Sequence, residues 1–131
     1  MTNTIIKTVC FSVVTAFLAS CGTTQSATDA QTGTINFKIL GRGDWNIECK
    51  AMTNKGKELV LDETGRGPGN TGSIFSEDIV SASCTYAAGD APVRIRMVDG
   101  GFTCPYGAYS DGVCDLEASA NSTGRFDLKV N

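Results

Sequence analysis

The segment VSASCTY, residues 80–86, decides the fold of this chain because apolar and small polar residues alternate along it without a break. Successive side chains of an extended strand point to opposite faces, so the apolar residues share one face and the serine and threonine residues share the other. The apolar face consists of Val80, Ala82, Cys84 and Tyr86. This segment therefore predicts a strand with one buried face rather than a helix.

The same period of two recurs on both sides of this segment. It covers residues 35–39, 45–51, 93–97 and 126–130, and shorter strands are predicted at 58–61, 73–75 and 114–118. Turn-forming residues separate these segments, and none of them has the 3.6-residue period of a helix. The pattern predicts an all-β domain of seven or eight strands, arranged as a small antiparallel β-sandwich of immunoglobulin-like architecture. A small β-barrel is the alternative.

The N-terminal residues have the composition of an export signal. Residues 1–7 are polar with one positive charge at Lys7, and residues 9–18 are apolar. That apolar stretch is too short to remain in a bilayer as a spanning helix. It ends in Leu18-Ala19-Ser20-Cys21, which resembles the lipobox of bacterial lipoproteins: an aliphatic residue, two small residues and a cysteine.

This resemblance implies that residues 1–20 are cleaved off and that lipid on Cys21 anchors the protein to a membrane. Stable anchoring needs more than one acyl chain. Gly22 stands where an aspartate would resemble a signal for retention in the inner membrane. For a Gram-negative cell the expected location is therefore the outer membrane, facing the periplasm or the cell surface. The alternative is an ordinary secretory signal that contains a cysteine.

Three regions follow from this interpretation: a signal peptide at 1–20, a lipidated cysteine with a flexible tether at 21–33, and a β-sandwich domain at 34–131. Residues 22–33 are small, polar and non-periodic, which is typical of a flexible linker. A linker of this length spans roughly 20 Å if it is as flexible as a Gly/Ser chain.

Four of the six cysteines remain once Cys10 leaves with the signal and Cys21 takes lipid. An even number in an exported domain predicts two disulfides, with three ways to pair them. Strand parity favours Cys49 with Cys84, since both would face the core and could join the two sheets, and Cys104 with Cys114 as a local loop. A four-cysteine zinc site is the alternative, but it needs closer pairs of cysteines than these.

Composition argues against most catalytic classes. The chain has no histidine, so it lacks Ser–His and Cys–His nucleophile pairs and imidazole metal ligands. Its formal charge is −3, and loss of Lys7 leaves ten basic and fourteen acidic residues, or −4. Such a charge disfavours nucleic acid as a partner. The sequence predicts no enzyme, cofactor or metal; a hydrolase that uses carboxylates is the alternative.

Two short motifs have ordinary structural interpretations. Residues 67–72 match the pattern G-x-G-x-x-G, but a dinucleotide site needs that pattern between a strand and a helix, so a turn-rich loop is expected. Arg42-Gly43-Asp44 is an adhesion-type tripeptide that a hairpin tip could present as a clamp of opposite charges. Its glycine also suits a turn, so the sequence leaves its function open.

The loop between Cys104 and Cys114 is the predicted binding segment. Its candidate contact residues are Phe102, Tyr106, Tyr109 and Asp111. A disulfide-closed loop loses less entropy on binding, and tyrosine provides amphipathic contact area for a protein, peptide or glycan. Alternatively, the aromatic side chains pack back onto the sandwich. The nearby acidic residues, which include Asp99, Asp115 and Glu117, lack the spacing of an EF-hand calcium loop.

The sequence thus predicts a membrane-anchored envelope lipoprotein whose domain is a non-catalytic binding or structural module. One version of this function is an inhibitor of an enzyme that attacks the envelope, such as a lysozyme or a protease. A small, acidic, disulfide-linked domain suits that task because lysozymes are typically basic. No residue identifies the partner.

Overall fold

The computed structural model describes residues 31–131, so the predicted signal peptide, Cys21 and the tether up to Ala30 lie outside the described residues. Seven strands make up the domain: β1 (Gly33–Gly41), β2 (Trp45–Thr53), β3 (Glu58–Gly65), β4 (Asn70–Ala88), β5 (Val93–Val98), β6 (Val113–Ala118) and β7 (Thr123–Lys129). All strand pairs are antiparallel. In this part of the chain there is no helix long and apolar enough to span a membrane.

Strand β4 belongs to two layers. Its first half pairs with β1, and its second half lies between β2 and β7. The first layer therefore has the order β3-β2-β4-β7, and the second layer has the order β4-β1-β5-β6. Because one strand is shared, the two layers form one continuous hydrogen-bonded sheet.

The two layers pack face to face around a single core. Phe37 of β1 meets Phe126 of β7 edge to face, with ring centroids 5.8 Å apart. The core contains the inward positions of every alternating segment, among them Ile39, Ile47 and Ile95. The predicted all-β sandwich is thus confirmed, and the layering decides between the two architectures that the sequence left open.

The two predicted segments at 73–75 and 80–86 are parts of one 19-residue strand, which is why there are seven strands. The strand turns from the second layer into the first at Asp78, whose φ is +61°. The pairing register shifts at this point against both β1 and β2. Because of this shift, Ile79 rather than Val80 points into the core. Ile79 is fully buried, and Val80 is only half-buried.

Both predicted disulfides are present. Cys49 and Cys84 lie directly opposite each other on β2 and β4, with Cα atoms 4.0 Å apart. The expectation that this bond joins the two sheets is wrong, because the second half of β4 lies in the same layer as β2. The Cys104–Cys114 bond closes a local loop, as predicted.

The domain has two distinct ends. Strand β1 enters at Gly33 and reaches Gly41 nine residues later, roughly 26 Å away for an extended strand. We call the end at which the chain enters β1 the proximal end. It holds Gly33, the turn at 54–56 and the C-terminal Asn131. The loop end holds the connections at 42–44, 66–69, 89–92 and 119–122.

Candidate functional site

The predicted binding loop lies along one open side of the sandwich, between the edge strands β6 and β7. The Thr103 amide donates to the Lys129 carbonyl at 2.9 Å, and the Asn131 amide donates to the Gly101 carbonyl at 2.9 Å. The bridge between Phe102 and Val130 continues this pairing. The chain that leads into the loop therefore covers the C-terminal part of the outer edge of β7.

Three of the four candidate contact residues pack against the core. Phe102 is fully buried, and Tyr106 meets Phe126 edge to face with ring centroids 5.1 Å apart. The Tyr109 hydroxyl donates to the Phe102 carbonyl at 3.0 Å. Asp111 is exposed. In the structure, the aromatic residues of this loop cover the open side of the sandwich.

The two tyrosines of this loop differ in their hydrogen bonding. The Tyr106 hydroxyl is buried and has no partner among the described residues. Burial, with a smaller contribution from Tyr86, raises the pKa of Tyr106 well above its usual range. Burial and then the charge of Asp99 also raise the pKa of Tyr109. Both hydroxyls therefore stay protonated at neutral pH, which suits packing better than proton transfer.

Three acidic residues near this loop each interact with a different polar group. The Asp115 carboxylate lies 3.0 Å from the Arg96 guanidinium, and the Glu117 carboxylate lies 3.8 Å from that of Arg94. The Asp99 side chain accepts a hydrogen bond from the Gly101 amide. Residues 31–131 contain no group of three metal-ligating side chains that could hold an ion.

The loop end is organised around Trp45. Its indole N–H donates to the Asn70 side-chain oxygen, and the Asn70 amide nitrogen donates to the Gly43 and Gly67 carbonyls. A Cβ atom added at any of three glycines would overlap the indole ring. These glycines are Gly41, Gly65 and Gly72. The loops are thus built on a tightly enclosed tryptophan.

The Arg42-Gly43-Asp44 segment is not a hairpin tip, because β1 and β2 lie in different layers and do not pair. Asp44 is turned toward the neighbouring loops: its carboxylate accepts from the Gly67 amide at 3.0 Å, and its carbonyl accepts from the Gly89 amide at 2.7 Å. The hairpin tip that was to present the two charges is therefore absent. No helix follows residues 67–72. The predicted turn-rich loop covers only residues 67–69, because residues 70–72 already belong to β4.

These hydrogen bonds join four loops into one surface. The Asn121 amide donates to the Gly89 carbonyl, so the loop at 119–122 is attached as well. The exposed charges on this surface are two arginines and two aspartates, at Arg42, Arg66, Asp44 and Asp90. The loop end is thus polar, ordered by hydrogen bonds and balanced in charge.

A second surface is the outer face of the first layer, where Ser81, Ser83 and Thr85 form the floor of a shallow cleft. The walls come from β2 on one side and β7 on the other. In two of the three rows the wall charges are opposite: Glu48 and Arg125 flank Thr85, and Lys50 and Asp127 flank Ser83. The alternation of VSASCTY predicted the polar floor, but no sequence signal identified which strands lie beside it.

Comparison with protein-family models, with curated protein sequences and with solved structures found no match to this chain.

Proposed function

We propose that this chain is a lipid-anchored protein of the bacterial envelope that binds a partner through its loop end and catalyses no reaction. The lipobox-like sequence at Leu18–Cys21 supplies the anchor in this proposal. The proposal takes the direction of presentation from the point where the chain enters β1.

The observation that carries the proposal is the position of Gly33. The chain enters the sandwich there, at the opposite end of β1 from the loops. A lipid on Cys21 would hold the protein by its proximal end, with about 20 Å of linker if residues 22–33 behave as a flexible chain. The surface built on Trp45 would then face away from the membrane. This arrangement suits recognition, because binding residues commonly lie on loops that a rigid scaffold positions.

The absence of catalysis in the proposal is supported by the burial pattern. Within residues 31–131 no charged or polar residue is buried. Catalytic carboxylates usually owe their altered pKa values to desolvation or to a close charged neighbour in a cleft. No carboxylate of residues 31–131 is buried, so none has the desolvated setting of such a cleft.

Two measurements test the proposal on the full chain. Wild type is expected in the membrane fraction and Cys21→Ala in the soluble periplasmic fraction; equal distribution of the two would contradict anchoring. A photo-crosslinking residue at Arg42 or Arg66 is expected to capture a partner in intact cells. The same residue at Lys129, at the proximal end of β7, is the matched control. Equal capture from both ends would contradict presentation of the loop end.

A more specific candidate function is inhibition of a basic enzyme that attacks the envelope. The observation that favours it is a strip of acidic side chains on the outer face, formed by Glu48, Glu58 and Asp62. Basic lysozymes would be attracted to such a surface. Purified Cys21→Ala protein is expected to slow cell-wall hydrolysis by a basic lysozyme; an unchanged rate at saturating protein would reject this candidate.

A further inference from the structure

Strand β3 has a free hydrogen-bonding edge. It pairs with β2 over eight consecutive residue pairs without a register shift, and with no other strand of the described domain. The Thr53 amide donates to the Lys57 carbonyl, which fixes the phase of the ladder. Since bonded and non-bonded pairs alternate in antiparallel strands, the residues of β3 that bond to β2 are 59, 61, 63 and 65. The amides and carbonyls of Glu58, Val60, Asp62 and Thr64 therefore point away from the sheet.

Each of the other edges of the sandwich is occupied over part of its length. The C-terminal part of β7 is covered by the segment around Thr103, whose amide bonds to Lys129. On the first half of β4, the Ser73 amide donates to the Glu63 carboxylate. Strand β6 has six residues, and Val113 is already paired with Ser110. Residues 58–62 of β3 form an open edge without proline or a bulge, two of the features that protect an edge. The charges of Glu58 and Asp62 are its remaining protection.

The side chains at this edge determine what could pair with it. Glu48 lies directly opposite Asp62, and both are exposed. Directly opposed like charges destabilise a sheet. The three ion pairs of the described residues involve neither of them. Including Lys50, the strip has three negative charges and one positive charge, a net of −2.

An apolar residue lies between the acidic residues of β3. Val60 is 56% exposed and shares the outer face with Glu58 and Asp62. A strand added to this edge would place alternate side chains on the same face. It would meet an acid, a valine and an acid in turn. The complementary sequence is basic-x-apolar-x-basic, and it reads the same in both directions.

We propose that the free edge of β3 accepts an extended basic segment of a partner protein as an additional strand. Backbone hydrogen bonds to Glu58, Val60 and Asp62 would hold the segment. One basic side chain would lie beside Asp62 and relieve its repulsion with Glu48, and the other would lie beside Glu58. This is the strand-addition mode of peptide recognition. The inference goes beyond the proposed function, because it assigns a second binding surface at the edge of β3, separate from the loop end.

The first test uses the peptide Thr-Lys-Thr-Val-Thr-Lys-Thr and the full Cys21→Ala chain, with binding followed by fluorescence anisotropy of the labelled peptide. Asp62→Lys is expected to weaken binding about tenfold, and the matched control Asp127→Lys, at the opposite edge of the same face, by less than about twofold. A peptide with glutamate in place of both lysines is expected not to bind. Equal binding of the two peptides, or equal effects of the two variants, would overturn the proposal.

The second test separates strand addition from charge attraction. Val60→Pro removes an amide that points away from β2, so the β2–β3 pairing is retained while the peptide loses a bond. Its binding is expected to be lost, and Val60→Ile, which keeps the amide and an apolar side chain, is expected to bind normally. A peptide N-methylated at alternate amides provides the same test without changing the protein. Normal binding of the methylated peptide, or self-association of the protein through β3 in sedimentation, would overturn strand addition.

Because these tests use Cys21→Ala protein in solution, they do not depend on anchoring. A chain that stays soluble in cells but binds the lysine peptide contradicts the anchor alone. A chain that is anchored but does not bind the peptide contradicts strand addition alone.

Discussion

The Trp45 indole N–H donates to the side-chain oxygen of Asn70, and this bond connects the first residue of β2 to the first residue of β4. The Asn70 amide nitrogen in turn bonds to carbonyls of the two neighbouring loops. One side chain therefore holds the core tryptophan and two loops of the proposed binding surface. Its three hydrogen bonds make the loop end depend on Asn70.

We expect Asn70→Ala to lower the free energy of unfolding by about 2–3 kcal/mol, since three hydrogen bonds of about 1 kcal/mol each are lost. Urea unfolding followed by the fluorescence of Trp45, the single tryptophan, measures this change. The matched control is Asn46→Ala, at an exposed position of the neighbouring strand, where the change should stay within about 0.5 kcal/mol. Equal losses in the two variants would contradict the role of Asn70.

The glycines around Trp45 give a second prediction. Gly41→Ala places a Cβ atom inside the space of the indole ring. Overpacking of this kind costs about 1–3 kcal/mol. In a Trp45→Phe background the smaller ring leaves room, so the same substitution is expected to cost less, and calorimetric melting of the four proteins gives the coupling. Purely additive losses would show that Gly41 has no packing role at Trp45.

The strands and the disulfide pairing could be predicted from the sequence because both depend on local parity. Alternation over VSASCTY placed Ala82 and Cys84 inside, and the same argument placed Cys49 inside. Cysteines whose side chains face the same core can come within bonding distance of each other. Pairing therefore followed without knowledge of which strands are neighbours.

Features that depend on strand neighbours could not be predicted. The turn at Asp78 changes the parity of β4, and a periodic pattern does not contain that shift. Ile79 shows the consequence, since it is fully buried between even-numbered inward residues. Phe75 is 61% exposed although phenylalanine is usually buried, because Ile74 occupies the inward position next to it. The Trp45 enclosure was also missed, since its glycines come from three strands that meet only in the folded chain. A signal was present in the many glycines that flank the predicted turns.

The two disulfides are expected to differ in their contribution to stability. Loop-closure entropy assigns about 3.8 kcal/mol to Cys49–Cys84 and about 2.7 kcal/mol to Cys104–Cys114. Replacing Cys104 and Cys114 by alanine should also release the loop that covers Phe126, so limited proteolysis should cut within 105–113. Replacing Cys49 and Cys84 should leave that region protected at a temperature where the protein is folded. Cleavage of the same loop in both variants would contradict its role as a cover.

Removing the same hydroxyl from the two loop tyrosines should have opposite effects at neutral pH. Tyr106→Phe deletes a buried hydroxyl without a partner, so we expect a gain of about 1 kcal/mol. Tyr109→Phe deletes the bond to the Phe102 carbonyl, so we expect a loss of about 1 kcal/mol. Urea unfolding of the two variants measures both values. A loss in Tyr106→Phe would indicate that its hydroxyl has a partner.

The same tyrosines predict how stability depends on alkaline pH. Burial raises the pKa of both side chains in the folded state above the value of about 10 expected in the unfolded chain. The folded state then holds its phenolic protons at pH values where the unfolded state releases them, so the free energy of unfolding falls as pH rises above about 10. Below that pH this contribution is fully present. Tyr106→Phe should reduce the slope between about pH 10 and pH 11.5, because Tyr106 is the more deeply buried of the two; a slope equal to that of wild type would show that Tyr106 can ionise freely in the folded domain.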